Sequence, residues 1–158
     1  MKKEQLKRIF DFLEEKENKK HKDRDKFIWK LKFNESLTKE ELNVKGDLNL
    51  ISTKITSLPK GLKVGGWLDL FRSKITSLPK GLKVFGYLDL SYSEIKSLPE
   101  GLEVGGWLDL TDTELTSLPK GLKVGGNLDI THTPLVKYSD EELREMIKPG
   151  FIKGEIYN

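Results

Sequence analysis

The stretch Leu58-Pro59-Lys60-Gly61-Leu62-Lys63-Val64-Gly65-Gly66-Trp67-Leu68-Asp69-Leu70 returns at Leu78–Leu90, Leu98–Leu110 and Leu118–Ile130, each time 20 residues on and without insertion. An earlier copy, Leu42-Asn43-Val44-Lys45-Gly46-Asp47-Leu48-Asn49-Leu50, extends the series to five turns. A fixed period of this length is the mark of a stacked repeat architecture. Within each copy Leu62, Val64, Leu68 and Leu70 share parity, with Gly66 between them. Period two means extended chain with one face buried. Gly65-Gly66 reads as a bend, since glycine reaches conformations closed to other residues. Ile75 and Leu78 add two inward positions before Pro79 stops any helix. Each turn is therefore expected to be a strand plus extended or irregular arcs, with equivalent strands near 48–50, 68–70, 88–90, 108–110 and 128–130 pairing in parallel.

A single turn cannot enclose its own leucines, so the fold is a one-dimensional stack whose ends need covers. Leu6, Ile9, Phe10 and Leu13 lie at i, i+3, i+4 and i+7, one stripe of an amphipathic N-terminal helix. Phe27, Trp29, Leu31 and Phe33 alternate with mostly polar residues and read as a strand of a degenerate first turn. Ser139 with Glu142 makes a capping-box pattern that opens a short C-terminal helix, whose Leu143, Met146 and Ile147 would lie over the last turn. The expected organisation is one domain over 1–158: an N-terminal cap over 1–41, a repeat solenoid over 42–136 and a C-terminal cap over 137–158. The fold class is an α+β repeat solenoid with a parallel β-sheet stack.

Composition narrows the function classes. The 158 residues hold no cysteine, so there is no disulfide framework, thiolate metal site or cysteine nucleophile. No apolar region follows Met1-Lys2-Lys3-Glu4-Gln5, and no run of about 18 apolar residues occurs. Neither a signal peptide nor a membrane span is expected, and a cytoplasmic location fits. The net charge of +3 hides an asymmetry: residues 1–32 hold twelve Lys/Arg against seven Asp/Glu, and the rest sixteen against eighteen. A basic arm thus precedes a near-neutral body, which a solvated helix face explains better than a nucleic-acid or membrane contact does.

The pattern Leu68-x-Leu70-x-x-Ser73-x-Ile75-x-x-Leu78-Pro79 resembles the leucine-rich repeat, in the short 20-residue form found in secreted bacterial effectors and in bacterial and phage proteins. The resemblance covers roughly residues 42–136. Where that family places an asparagine ladder, this chain has Thr53, Ser73, Ser93, Thr113 and Thr133. A hydroxyl can still bond a neighbouring backbone group, but the departure leaves a β-helix-like solenoid open. The resemblance implies protein binding on a concave sheet, in a small inhibitor or adaptor such as a phage protein directed against a host defence complex. The ubiquitin-ligase activity of some effectors needs a catalytic cysteine, which is missing.

If residues between and after the two leucines face that sheet, they form columns. The first is Asp47, Trp67, Tyr87, Trp107 and Asn127, and the second Asn49, Asp69, Asp89, Asp109 and Asp129. The third is Ile51, Phe71, Ser91, Thr111 and Thr131, with Ser52, Arg72, Tyr92, Asp112 and His132 just beyond. Five aromatics, Trp67, Phe71, Tyr87, Tyr92 and Trp107, converge on the middle three turns. They could form a ladder that only stiffens the stack, each pair adding about 0.5–1.5 kcal/mol. They also match a binding hot spot, for which Trp and Tyr are favoured. The candidate partner-binding residues are Trp67, Asp69, Phe71, Tyr87, Asp89, Tyr92, Trp107 and Asp109, and the implied partner is a protein with a basic and apolar surface.

The aspartates repel one another by roughly 0.8 kcal/mol per neighbouring pair in water, a bearable cost, so a solvated ladder is the bland alternative. No calcium-loop motif accompanies them, and no metal or cofactor is expected. His21 and His132 are linked to no nucleophile motif, and no catalytic residues are assigned. Lys60, Lys63, Lys80, Lys83, Lys120 and Lys123 form outer columns interrupted by Glu100 and Glu103. A nucleic-acid binder would present an unbroken basic stripe with interleaved aromatics, so nucleic acid is the second reading.

Overall fold

The structure is a computed structural model that describes residues 26–31 and 36–158. The chain divides into two compact units, Met1–Leu37 and Thr38–Asn158. In the first, residues 26–31 are helical, which overturns the strand read there from alternation. Phe27 and Leu31 stand four apart, on one side of a helix; Phe27 is buried while Trp29, which alternation placed beside it, is 50% exposed. Phe33 and the stripe Leu6, Ile9, Phe10 and Leu13 lie outside the described residues.

Thr38–Asn158 is a β-solenoid. Each 20-residue turn contributes two short strands, not one: β1 (Asn43–Val44), β3 (Lys63–Val64), β5 (Lys83–Val84), β7 (Glu103–Val104) and β9 (Lys123–Val124) stack as one parallel sheet. The strands β2 (Leu48–Asn49), β4 (Leu68–Asp69), β6 (Leu88–Asp89), β8 (Leu108–Asp109) and β10 (Leu128–Asp129) stack as a second. Register is strict, with Leu68 opposite Leu48 and Leu88, and Val84 opposite Val64 and Val104. Equal repeats leave no other pairing that keeps every leucine inside. Leu62, Val64, Leu68, Leu70 and Ile75 are fully buried and Leu78 is 7% exposed, as are their counterparts in the following turns to within a few per cent.

The chain bends at Gly65-Gly66 as expected, though without a left-handed residue there. Left-handed backbone falls instead at Gly61, Gly81, Gly101 and Gly121, with φ between 69° and 80°. Each follows Pro-Lys or Pro-Glu at the third place of a turn closed by the leucine amide on the proline carbonyl, as in Leu62 to Pro59 at 3.4 Å. Gly86, Gly106 and Gly126 are needed for close approach. A Cβ built on Gly106 would sit 3.0 Å from the carbonyl carbon and oxygen of Gly86. The amides of Gly66, Gly86, Gly106 and Gly126 each donate to the glycine carbonyl of the preceding turn at 2.9–3.1 Å. The first glycine of the pair is tighter still, a Cβ on Gly105 or Gly125 meeting the carbonyl oxygen of Phe85 or Gly105 at 2.1 Å, although Phe85 itself occupies that place in the third turn.

Asparagine is replaced in the ladder by short internal caps. The hydroxyls of Thr53, Ser93, Thr113 and Thr133 donate to the carbonyls of Leu50, Leu90, Leu110 and Ile130 at 2.6–2.8 Å. Ser73 is buried with its hydroxyl unbonded. A buried hydroxyl without a partner carries a desolvation penalty that a bonded one offsets. Ser93→Ala should therefore lower stability by about 1 kcal/mol, while Ser73→Ala leaves it unchanged or raised. Thermal melts of the two variants provide the comparison, and equal losses would refute the assignment.

The C-terminal segment holds more than a helical cover. The helix Asp140–Met146 starts at Ser139, whose hydroxyl accepts from the Glu142 amide while Glu142 accepts from the Ser139 amide, completing the capping box. Leu143 and Ile147 are fully buried. Beyond it β11 (Phe151–Ile152) pairs with β9 and β12 (Ile156–Tyr157) with β10, making a sixth turn in both sheets. Arg144 fixes this turn by donating to the carbonyls of Ile152 at 2.5 Å and Gly154 at 2.8 Å. Among the described residues no helix is long and apolar enough to cross a membrane.

Candidate functional site

The aromatic columns lie along the outer side of the second sheet and the turn that follows it. Trp67, Tyr87 and Trp107 immediately precede β4, β6 and β8. The alternation that buries Leu68, Leu88 and Leu108 turns them outward: Trp67 is 54% exposed and Trp107 41%, with Tyr87 half-buried between them. Tyr87 and Trp107 meet edge to face at 6.4 Å, an arrangement suited to aromatic quadrupoles. On the turn, Phe71 and Tyr92 meet edge to face at 5.5 Å, with Tyr92 49% exposed. The aromatics thus form two groups, one on the sheet and one on the turn, with the aspartates of the second sheet between them in sequence.

Those aspartates have a structural task that repetition alone did not disclose. Asp69, Asp89, Asp109 and Asp129 each accept, through Oδ1, the amide two residues on, at 2.8–3.1 Å; Asn49 does the same for Ile51. This local loop turns the chain out of the strand. The repeated carboxylate is therefore accounted for by the turn, and what it can offer a partner is the second oxygen. That oxygen of Asp109 accepts from the Tyr87 hydroxyl at 3.1 Å. Burial, with the charges of Asp109 and Asp89, holds the Tyr87 hydroxyl well above the usual tyrosine range, so it stays a donor. Burial is also the main reason that Asp89 titrates above an ordinary aspartate; Asp109 and Asp69 add to the shift, and the Ser91 hydroxyl and amide oppose it.

Two contributors were missed by the sequence reading. Tyr157 packs against Trp107 with ring centroids 5.8 Å apart, extending the aromatic strip into the sixth turn. Its signal was present: Ile152-x-Gly154-x-Ile156 repeats the spacing of Val124-x-Gly126-x-Leu128, displaced by 28 residues because the helix intervenes. Arg72 lies with its guanidinium carbon 4.9 Å from the Phe71 ring centre and 5.4 Å from that of Tyr92. It takes a left-handed φ of 52°, as Ser52, Tyr92, Asp112 and His132 do in their own turns. For residues with a Cβ that conformation costs roughly 1–2 kcal/mol.

On the first sheet the lysine column is partly neutralised within the fold. Glu103 accepts from Lys83 at 2.6 Å and from Lys123 at 3.0 Å, because strict register places it between them. Hydrogen bonds from Lys83 and then Lys123 lower its carboxyl to about 2. A depressed carboxylate stabilises the fold above its unfolded value near 4.5, and that contribution is lost as pH falls towards 2. The Glu103 side chain is 36% exposed, so solvent screening reduces the gain to about 1 kcal/mol or less. Glu103→Gln should flatten stability between pH 4.5 and 2 relative to the parent, as measured by urea midpoints across that range. Parallel curves would remove the triad from the account.

Among the described residues no three His, Cys, Asp or Glu side chains are grouped to hold a metal ion. A shallow open depression is lined by Ser93, Glu94, Lys96, Asp112 and Glu114. The Ser93 hydroxyl there is committed to the Leu90 carbonyl and Asp112 to His132 at 3.2 Å. Compared with models of known families, with curated proteins and with solved structures, the chain matches none.

Proposed function

We propose that this β-solenoid is a non-catalytic protein-binding module. It engages its partner through the outer side of the second sheet and the adjoining turn, with Trp67, Asp69, Phe71, Tyr87, Asp89, Tyr92, Trp107 and Asp109 as contacts. One observation carries the reading: three successive rungs present large aromatic side chains, Trp67 54% and Trp107 41% exposed with Tyr87 half-buried between them. A soluble protein seldom leaves such a strip uncovered without use, and Trp and Tyr are the residues on which binding energy concentrates. The half-buried aspartates beside the rings favour a partner with basic groups among its apolar ones. A role as a small cytoplasmic inhibitor or adaptor, of the kind the bacterial and phage resemblance implies, goes with this reading.

Capture of partners from the source cell, with the parent and with variants, tests it. Truncating a central aromatic hot spot costs 2 kcal/mol or more, about thirtyfold in affinity. The Trp67→Ala/Trp107→Ala variant should lose its partner, while Lys60→Gln/Lys80→Gln/Lys120→Gln keeps it, each variant being first shown to melt as the parent does. The opposite pattern, with binding that weakens steeply in salt, would favour nucleic acid, since phosphate contacts release counterions.

A further inference from the structure

Each turn of the solenoid has two corners with a left-handed residue, and the chain treats them oppositely. One corner carries Gly61, Gly81, Gly101 and Gly121; the other carries Ser52, Arg72, Tyr92, Asp112 and His132, never glycine. Left-handed backbone favours glycine, so side chains at the second corner are kept against the local preference. They also differ from one another in size and charge while the rungs around them repeat. Such a ridge, constant in backbone and variable in side chain, is suited to reading a partner.

Arg72 is the most developed point on it. It is the sole arginine between residues 42 and 136. Its planar guanidinium lies against the rings of Phe71 and Tyr92, at 4.9 and 5.4 Å from their centres. Contact with the two rings leaves N–H donors of the group free to meet an acceptor and limits freedom that binding would otherwise have to remove. Those donors bond no acceptor of the chain among the described residues. The carboxylates of the neighbouring turns bond other groups: Glu94 with Lys74, Asp112 with His132, and Asp69 and Asp89, each through one oxygen, with the amides of Phe71 and Ser91.

We infer that Arg72, resting beside the Phe71 and Tyr92 rings, receives a carboxylate of the partner through paired N–H donors. The inference rests on the protein-binding reading and sharpens it. The partner then carries an acidic group for the ridge beside the basic group that the aspartate column accepts. A guanidinium fork matches a planar oxyanion, where lysine would supply only a point charge.

The test uses the whole chain with ¹⁵N-labelled arginine, the Arg72 Nε–H signal being assigned by its disappearance in Arg72→Lys. Acetate, inorganic phosphate and chloride are titrated separately at constant ionic strength. Acetate should move the Arg72 signal saturably and at least threefold further than chloride does. It should also move it further than the signal of Arg144, whose terminal nitrogens already bond Ile152 and Gly154. Tyr92→Leu should weaken the acetate response by threefold or more. No discrimination between acetate and chloride overturns the inference. Saturation by phosphate alone overturns it too, assigning the position to a phosphoryl group. The titration reads Arg72 without any partner, so its failure leaves the Trp67/Trp107 capture result standing. A positive titration with unaffected capture retains Arg72 and discards the sheet face.

Discussion

Replacing Gly106 with alanine should lower the unfolding free energy by roughly 3–5 kcal/mol, combining overpacking with weakened ladder bonds. The new Cβ would lie 3.0 Å from the carbonyl carbon and oxygen of Gly86 and 3.2 Å from the Tyr87 nitrogen. All three are backbone atoms, fixed by the rung below, so no side chain can swing aside. The only relief is separation of the rungs. That strains the Gly106-to-Gly86 and Gly126-to-Gly106 hydrogen bonds, both at 2.9 Å. Gly61→Ala is the control, since a Cβ there meets nothing within 4 Å and suffers only from the φ of 80°. Its expected cost is about 1–2 kcal/mol. Urea unfolding of the two variants measures both. A Gly106→Ala loss no larger than that of Gly61→Ala would mean that the glycine column serves backbone freedom after all.

Leu88→Ala should destabilise by roughly 3–5 kcal/mol, the upper part of the range for emptying a buried leucine site. Leu88 is fully buried in the middle of the second sheet, between Leu68 and Leu108. Neighbours on both sides are pinned by the ladder, its own amide bonding the Trp107 carbonyl at 2.9 Å, so the cavity can collapse little. In a stack with nearest-neighbour coupling, damage to a central rung weakens two interfaces. Ile156→Ala, in a last strand that pairs only with β10, should cost less and fray the C-terminal turn first. Hydrogen exchange tells the two responses apart. Uniform loss of protection is expected for Leu88→Ala and local loss near 151–157 for Ile156→Ala; the same local pattern for both would contradict the central-rung argument.

The residues of the binding proposal and those of the fold are not cleanly separable here. Asp69, Asp89 and Asp109 each hold the turn that presents Phe71, Ser91 and Thr111. Removing one of these carboxylates alters the frame as well as the face. Trp67 and Trp107 have the clearer claim, since their large exposed areas contribute least to the interior. For the same reason the aspartates are poor first targets for mutagenesis, and the aromatics good ones.

Sequence by itself determined the stack: a strict 20-residue period, with Leu62, Val64, Leu68 and Leu70 on one parity, left a parallel pile of extended turns as the arrangement that hides every leucine. It also placed the aromatics outside, because Trp67 and Trp107 fall on the opposite parity. It allowed Thr53, Ser73, Ser93, Thr113 and Thr133 to bond neighbouring backbone, which all but Ser73 do, and it marked the capping box at Ser139. Tertiary structure alone decided that each turn carries two strands in two sheets. It decided too that Gly86, Gly106 and Gly126 admit the neighbouring rung, that the aspartates hold turns, and that Tyr157 joins the strip. The division has one physical cause. Burial parity is a property of a single strand and is written locally. Glycine clearance, ladder pairing and ring contacts depend on atoms 20 or more residues away, which come within reach only when the rungs are stacked. The helix at 26–31 marks the same limit from the other side, since so short an apolar run fits period two and period 3.6 alike.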